Sequence, residues 1–379
     1  MVITMLKGVS LFANVGIAET YLSKVGINIV VANEIVVERA NFYKHLYPDC
    51  DMITGDITDK NVYDEIINKC KMNEVEFIIA TPPCQGMSLA GHKDPDDPRN
   101  HLITSAVSAI VDLKPKYALF ENVTMQLKTS IVVDGKRMLI TDYILSVLSN
   151  DYYISINEID TKDYGVPQAR KRAIILFTRK DQNLIWKLPA KEDKIITLKD
   201  AIGDLPSLDP ILREYEMMEK VFPDYEKKKK AGLKISKWHY ARPHVWRNVE
   251  VMLHTPSGCS AKKNKVYYPK NSKGQLVGGS GSTYMRMSWD KPAPTVTTYN
   301  HTISSFQNVH PGRYDEKTGL YSDPRVLSIF ELMRVTTLPD DWNIPNWASE
   351  NLIRTVIGEG IPPLAIMKIV KVLNLKEGC

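Results

Sequence analysis

The sequence predicts an α/β chain: a doubly wound, parallel sheet over the first 180 or so residues, then a smaller and less regular domain. Three observations carry this expectation. Short β-branched runs alternate with helical patterns through the first part. Several of those runs, FIIAT at 77–81 and AIILF at 173–177, are apolar throughout, as strands buried on both faces should be. From Asp181 to Pro345 the pattern breaks into prolines, glycines, lysines and isolated aromatics with weak periodicity.

The strands expected in order are Gly8–Phe12, Asn28–Asn33, Asp51–Thr54, Glu76–Thr81, Tyr117–Asn122, Tyr152–Asp160 and Arg172–Thr178. Helices are expected over Ile17–Val25, Val36–Tyr47, Asn61–Cys70, His101–Leu113 and Lys136–Ser149. The glycine-rich stretch Gly274–Tyr284 reads as a loop, and the tail from Leu352 to Leu375 regains a helical pattern after Pro362–Pro363. The expected division is a large domain over 1–185, completed by 346–379, and a small domain over 186–345.

Hydrophobic residues make up 44% of the 379 and charged residues 25%, which excludes a predominantly disordered or fibrous chain. No apolar run reaches the ~18 residues a spanning helix needs; the stretch Ile27–Val37 is interrupted by Asn33 and Glu34. With no leader pattern at its start, the chain is expected to be cytoplasmic, without a membrane partner. Five cysteines without CxxC spacing argue against a disulfide scaffold or a thiolate zinc site, and no metal is expected.

The net charge of +5 is unevenly spread. Residues 225–275 carry thirteen Lys and Arg against Glu226 and Glu250, a segment net of +11 that leaves −6 for the rest. A polyanion partner follows from that concentration. Within it, Lys237-Trp238-His239-Tyr240-Ala241-Arg242 interleaves charge with rings, which suits phosphate contact and stacking. The run Lys227–Lys230 taken alone reads better as a solvated helix face.

Four strand ends carry candidate chemistry. Leu11-Phe12-Ala13-Asn14-Val15-Gly16 is a tight turn after the first strand, which by itself suits either a nucleotide-like ligand or an ordinary strand-to-helix connection. Glu34 and Asp56 end the second and third strands, and either could serve a ligand or cap a helix. Ala80-Thr81-Pro82-Pro83-Cys84-Gln85-Gly86 follows a buried strand, its prolines stiffen the exit, and Gly86–Arg99 reads as a mobile lid; Cys84 is a candidate nucleophile. Glu121, in Phe120-Glu121-Asn122-Val123, is a candidate acid at a strand end. In Gln168-Ala169-Arg170-Lys171-Arg172, alternation places Arg170 and Arg172 on one face.

PPCQG, ENV and QARKR, in that order and spacing, resemble the DNA cytosine-5 methyltransferase family. Further matches are the glycine turn with Glu34 and Asp56, PAPTVTT at 292–298, RVLSIFELMRVTTLPDDW at 325–342 and GEGIPP at 358–363. The resemblance implies a Rossmann-like, S-adenosylmethionine-dependent methyltransferase sheet joined to a DNA-recognition domain, with duplex DNA in the cleft between. It implies that Cys84 adds to C6 of a flipped-out cytosine, that Glu121 serves N3, and that Arg172, supported by Arg170, holds the base carbonyl. For the donor it implies Phe12, Gly16, Ile57 and Pro83 as lining, Glu34 on the ribose hydroxyls and Asp56 on the adenine amine.

Target recognition is expected in 186–285, with base readout in Ser257–Arg286. Gln85, Ser88, Lys262, Lys263 and Arg286 are the expected DNA contacts. The sequence departs from the family's usual pattern at Ser10, where an acid is common, at Asn14 and Ile17, where glycines are common, and at Glu359, where asparagine is common. A chain of this layout is expected to be a modification methylase, nucleoid-associated through its DNA. Its companion would be a restriction endonuclease acting on the same site without a stable complex. Two other readings stay open. The tRNA-methylating branch typically has a shorter recognition region than the ~100 residues here; a non-catalytic regulator would not need Cys84, Glu121, Arg170 and Arg172.

Overall fold

The computed structural model describes residues 5–83, 98–213 and 218–375. Cys84, Gln85, Ser88 and most of the expected lid lie outside the described residues. The chain packs as two compact units. The first comprises Met1–Tyr164, Lys171–Lys191 and Pro363–Cys379, and the second Gly165–Arg170 and Glu192–Pro362.

The first unit is built on a seven-stranded sheet. Its strands are β1 (Leu6–Leu11), β2 (Ile27–Glu34), β3 (Asp51–Thr54), β4 (Phe77–Ala80) and β5 (Tyr117–Asn122). A separate hairpin supplies β6 (Ser130–Val133) and β7 (Lys136–Leu139), and the sheet is completed by β8 (Tyr152–Asp160) and β9 (Lys171–Arg179). The order is β3-β2-β1-β4-β5-β9-β8, and β1 to β5 pair in parallel. All seven expected strands are present, but the sheet is not wholly parallel: β9 runs antiparallel to both β5 and β8. Only residues 161–170 join β8 to β9, too few for the crossover helix a parallel neighbour needs.

Helices α1 (Val37–Leu46), α2 (Lys60–Met72), α3 (Leu102–Leu113) and α4 (Ile140–Leu148) form close to where the apolar spacing predicts them. Two expectations fail locally. Instead of a helix over 17–25 there is one 3-10 turn at Leu22–Val25, because the chain leaves Gly16 with φ 81° and the Thr20 hydroxyl donates to the Ile17 carbonyl at 2.8 Å. The helix expected from Lys136 starts at Ile140. Asp134 and Gly135 both take positive φ, turning β6 back onto β7 as the dipeptide Asp-Gly does in tight hairpins.

The second unit holds α5 (Leu198–Ile202), α6 (Met218–Val221), α7 (Tyr225–Ile235), α8 (Trp246–Leu253), α9 (Ile329–Val335) and α10 (Glu350–Glu359). Its described strands are two-residue pairs, β10 (Ile211–Leu212) with β11 (Pro243–His244) and β12 (Tyr314–Asp315) with β13 (Leu320–Tyr321). With so little ladder, buried charge ties its loops. Arg325, fully buried, donates to Asp323, to both Glu331 oxygens and to the Leu208 and Val326 carbonyls. Burial opposes the Glu331 charge, but the Arg325 guanidinium outweighs it and holds the carboxyl down to about 2.

The helical tail is split at Gly360 and the two prolines. The first half, α10, packs with the second unit, where the sequence assigns it to the large domain. Its Arg354 is buried and binds Glu350, Asn300 and the Leu327 carbonyl. The second half, α11 (Pro363–Lys371), belongs to the first unit. There Trp186, 1% exposed, donates its ring N–H to the Ile369 carbonyl at 2.9 Å and meets Phe77 and Tyr117 with centroids 6.2 and 6.0 Å away.

Removing that ring opens a cavity the sheet cannot collapse into and strands a carbonyl. Trp186→Ala is expected to lower the unfolding free energy by about 3–5 kcal/mol, read from urea denaturation against the wild type.

Candidate active site

In the first unit, β1, β2, β4 and β5 deliver chemistry-bearing residues to the C-terminal edge of the sheet. After β1 the chain turns sharply. Phe12 (φ 58°), Asn14 (φ 51°) and Gly16 (φ 81°) all take left-handed backbone, at roughly 1–2 kcal/mol for each non-glycine residue. A Cβ on Gly16 would run into the Tyr43 and Tyr47 rings, so glycine is required there. Bonds from β2 hold the turn. The Ala13 N–H donates to the Asn33 carbonyl and the Asn14 N–H to Glu34 Oε2, both at 2.9 Å.

Glu34 is 5% exposed, and its other oxygen accepts from the Val36 N–H at 2.9 Å. Asp56 is exposed after β3 and accepts from the N–H and hydroxyl of Thr58. Ile57 differs from the lining role expected of it: its side chain is buried in the sheet core, so only its backbone can meet a ligand. Pro83 is half-buried at the last described position before Cys84.

The ends of β4 and β5 are joined. Asn122 donates its amide to the Pro82 carbonyl at 3.1 Å, two residues before Cys84. Next to it, Glu121 pairs with Arg172, Oε1 to Nε 2.8 Å, both groups about nine-tenths buried. The pairing follows from the antiparallel β9, which runs beside β5 and starts where β5 ends.

Arg170 does not join that pair. It is 2% exposed in the second unit and donates to the carbonyls of Val296, Gly358 and Glu359 at 2.8–3.0 Å. Alternation predicts a shared face with Arg172, but Arg170 precedes β9, where strand geometry does not apply. It binds PAPTVTT to GEGIPP instead. Gly358 permits that junction, since a Cβ there would lie 2.7 Å from the Thr298 nitrogen.

The expected DNA contacts also divide. Arg286 is fully buried and donates to the carbonyls of Met252, His310 and Asp323, and burial lowers its pKa to about 9; it is a structural residue, not a base reader. Lys262 is half-buried, its ammonium donating to the Gly278 and Ser280 carbonyls, so it shapes the glycine-rich loop. Lys263 is exposed. On α7, Lys228 pairs with buried Asp209 at 2.6 Å, while Lys227 and Lys230 are exposed. His239 from the ring-rich stretch, and His244 just after it, are buried in the second unit rather than displayed. No cluster of potential metal ligands occurs among the described residues.

The C-5 cytosine-specific DNA methylase family matches residues 6–374. The chain belongs to this family. A curated relative, the type II methyltransferase M1.HgaI of Avibacterium volantium, is 45% identical over 97% of both chains. M.DdeI of Desulfomicrobium norvegicum, also a type II methyltransferase, is 27% identical over 94% of this chain and 85% of its own. A crystal structure described as a prophage-encoded DNA modification methyltransferase of E. coli covers 98% of this chain and 99% of its own, with a TM-score of 0.68 and 23% identity. The chain is thus a DNA cytosine-5 methyltransferase of the bacterial restriction-modification type, and methyltransferase structures share its fold. No described helix is long and apolar enough to cross a membrane.

Residues to which the sequence assigns no role complete the edge: Thr81 donates to the Phe12 carbonyl at 3.0 Å, and Asn33 donates to the Ile53 and Gly55 carbonyls at 3.0 Å. A polar residue at the end of an apolar strand is the signal that could have found them.

Ser10, where the family commonly has an acid, donates instead to a buried one, Glu19. Burial raises the Glu19 pKa to about 7 against the opposing Ser10 bond. A carboxyl that holds its proton more tightly when folded stabilises the fold below its ordinary range near 4.5. That contribution is lost as pH rises through about 7. Wild-type stability is expected to fall by about 3 kcal/mol between pH 5 and 8 from this group, and Glu19→Gln to remove that dependence, read from urea midpoints at the two pH values.

Proposed function

We propose that this chain methylates C5 of cytosine in double-stranded DNA by covalent catalysis at Cys84, with the first unit holding donor and catalytic groups and the second reading the target. The observation that carries the reading is the join between β4 and β5. One strand end binds the PPCQ segment through Asn122 and Pro82, and its neighbour Glu121 is already paired with Arg172.

The turn after β1 and the carboxylates after β2 and β3 fit S-adenosylmethionine. A glycine cradle closed by two rings suits an extended, uncharged stretch of ligand, the Glu34 carboxylate suits a ribose diol, and the exposed Asp56 suits an adenine amine. Phe12, Gly16, Pro83 and the Ile57 backbone would line the same pocket. When bound there, S-adenosylmethionine supplies an electrophilic methyl group.

C5 of cytosine is a poor nucleophile, and adding a thiolate at C6 makes it enamine-like. The Cys84 sulfur forms the bond to C6. Glu121 gives a proton or hydrogen bond to N3 and offsets the electron density pushed into the ring. Arg172 holds Glu121 and the base carbonyl. Once C5 carries the methyl group, loss of the C5 proton to base expels Cys84 and restores the aromatic ring. A stacked base does not expose C6, so the cytosine is flipped out of the duplex, at a cost of a few kcal/mol. DNA is positioned by exposed lysines such as Lys263 and by Gln85 and Ser88. A companion endonuclease would act on the same site, on cytoplasmic DNA, without a stable complex.

Bisulfite sequencing of DNA from cells expressing the chain tests both reaction and site. Cys84→Ser is expected to abolish methylation and trapping by 5-fluorocytosine DNA while keeping donor affinity; normal turnover would exclude the mechanism. Glu121→Gln should lower kcat by about 10²–10⁴-fold in single-turnover assays on duplex DNA. Methyl transfer to tRNA but not duplex DNA would favour the tRNA-methylating branch.

A further inference from the structure

The turn after β1 is also held from beneath, by a residue outside every motif. Tyr47 follows α1, and its phenol donates to the Gly16 carbonyl at 2.6 Å. Its ring lies against Tyr43, centroids 4.7 Å apart, and the two rings fill the space a Gly16 side chain would occupy. Burial pushes the Tyr47 phenol well above its ordinary pKa, and the Glu19 charge acts in the same direction, so it remains a donor at working pH. The other bonds on the turn come from β2, through Asn33 and Glu34, from Thr81 after β4, or are local, such as the Gly16 N–H to the Ala13 carbonyl. Tyr47 adds a hold from α1. A backbone with left-handed residues at alternate positions keeps its shape only when its surroundings over-determine it.

We propose that Tyr47 is a positioning residue for the methyl donor: its bond to Gly16 keeps the turn, and through the turn the Glu34 carboxylate, in the shape that receives S-adenosylmethionine. This rests on the assignment of that turn and Glu34 to the donor. The coupling runs through Asn14, whose N–H sits inside the turn and donates to Glu34, so a relaxed turn displaces the ribose acceptor. Among the described residues no hydrogen bond joins Tyr47 to Glu121 or Arg172, whose pairing on β5 and β9 serves the base. Its loss should therefore weaken donor binding and leave the chemical step intact.

The test is calorimetric binding of S-adenosylhomocysteine to the full chain as wild type, Tyr47→Phe, Glu34→Ala and Tyr63→Phe. The last removes a phenol bond of similar length, to Asp112 at 2.7 Å, outside the turn. Tyr47→Phe is expected to weaken binding roughly three- to tenfold and raise the donor KM by the same factor, with kcat at saturating donor within about twofold. Tyr63→Phe should bind as wild type does. Unchanged binding in Tyr47→Phe alongside weakened binding in Glu34→Ala overturns the proposal and leaves the donor assignment standing. Equal weakening in Tyr47→Phe and Tyr63→Phe overturns it as well, since the loss would then be general. Wild-type affinity in Glu34→Ala, or no binding by the wild type, removes the donor assignment and the proposal with it.

Discussion

Parallel strands lose their ladder where they end, and the loops that follow have no regular partner. In this chain, polar side chains take over at that point. Asn33 ties the end of β2 to the chain leaving β3, Thr81 ties the exit of β4 to the turn after β1, and Asn122 ties the end of β5 to Pro82. These bonds cross from strand to strand along β3-β2-β1-β4-β5. They stop neighbouring chain segments from moving independently, so the turn, the Glu34 carboxylate and Pro82 keep one geometry. Catalysis by positioning needs that, because a small displacement of a reacting group costs far more than the bond that prevents it.

The second unit solves a different problem. It has little regular structure among its described residues, so most of its carbonyls cannot be satisfied by ladders. Guanidinium groups do the work instead: Arg170, Arg286, Arg325 and Arg354 each reach at least one buried carbonyl, several bridging segments far apart in sequence. Five donors in a rigid fork make arginine suited to this. The consequence is that the positive charge counted in this unit's sequence is not a map of its charged surface. Lys263, Lys227 and Lys230 remain at the surface, whereas Arg286 and Lys228 are committed to the interior or to buried acids.

Much of the site was legible because family motifs sit at strand ends, and strand ends are readable from apolar runs. Glu34 and Glu121 lie where β2 and β5 finish, as expected. Tyr47 was not legible: nothing in its neighbourhood marks it, and its partner lies 31 residues earlier. Asp134-Gly135 marks the β6–β7 hairpin, but the apolar spacing of α4 continues backward over β7 and masks it.

Most strands and helices along the chain, and the residue types offered at the strand ends, were determined by the sequence alone, since hydrophobic periodicity and motif spacing are local properties. The tertiary structure decided which charged groups are available. Alternation cannot say that Arg172 meets Glu121 while Arg170, two residues away, is consumed by three carbonyls of the second unit. Nor can composition separate a buried Arg286 from a solvated Lys263. A buried donor is bound by whichever acceptors the fold brings to it, and those acceptors are backbone carbonyls, which every residue carries and no sequence pattern marks.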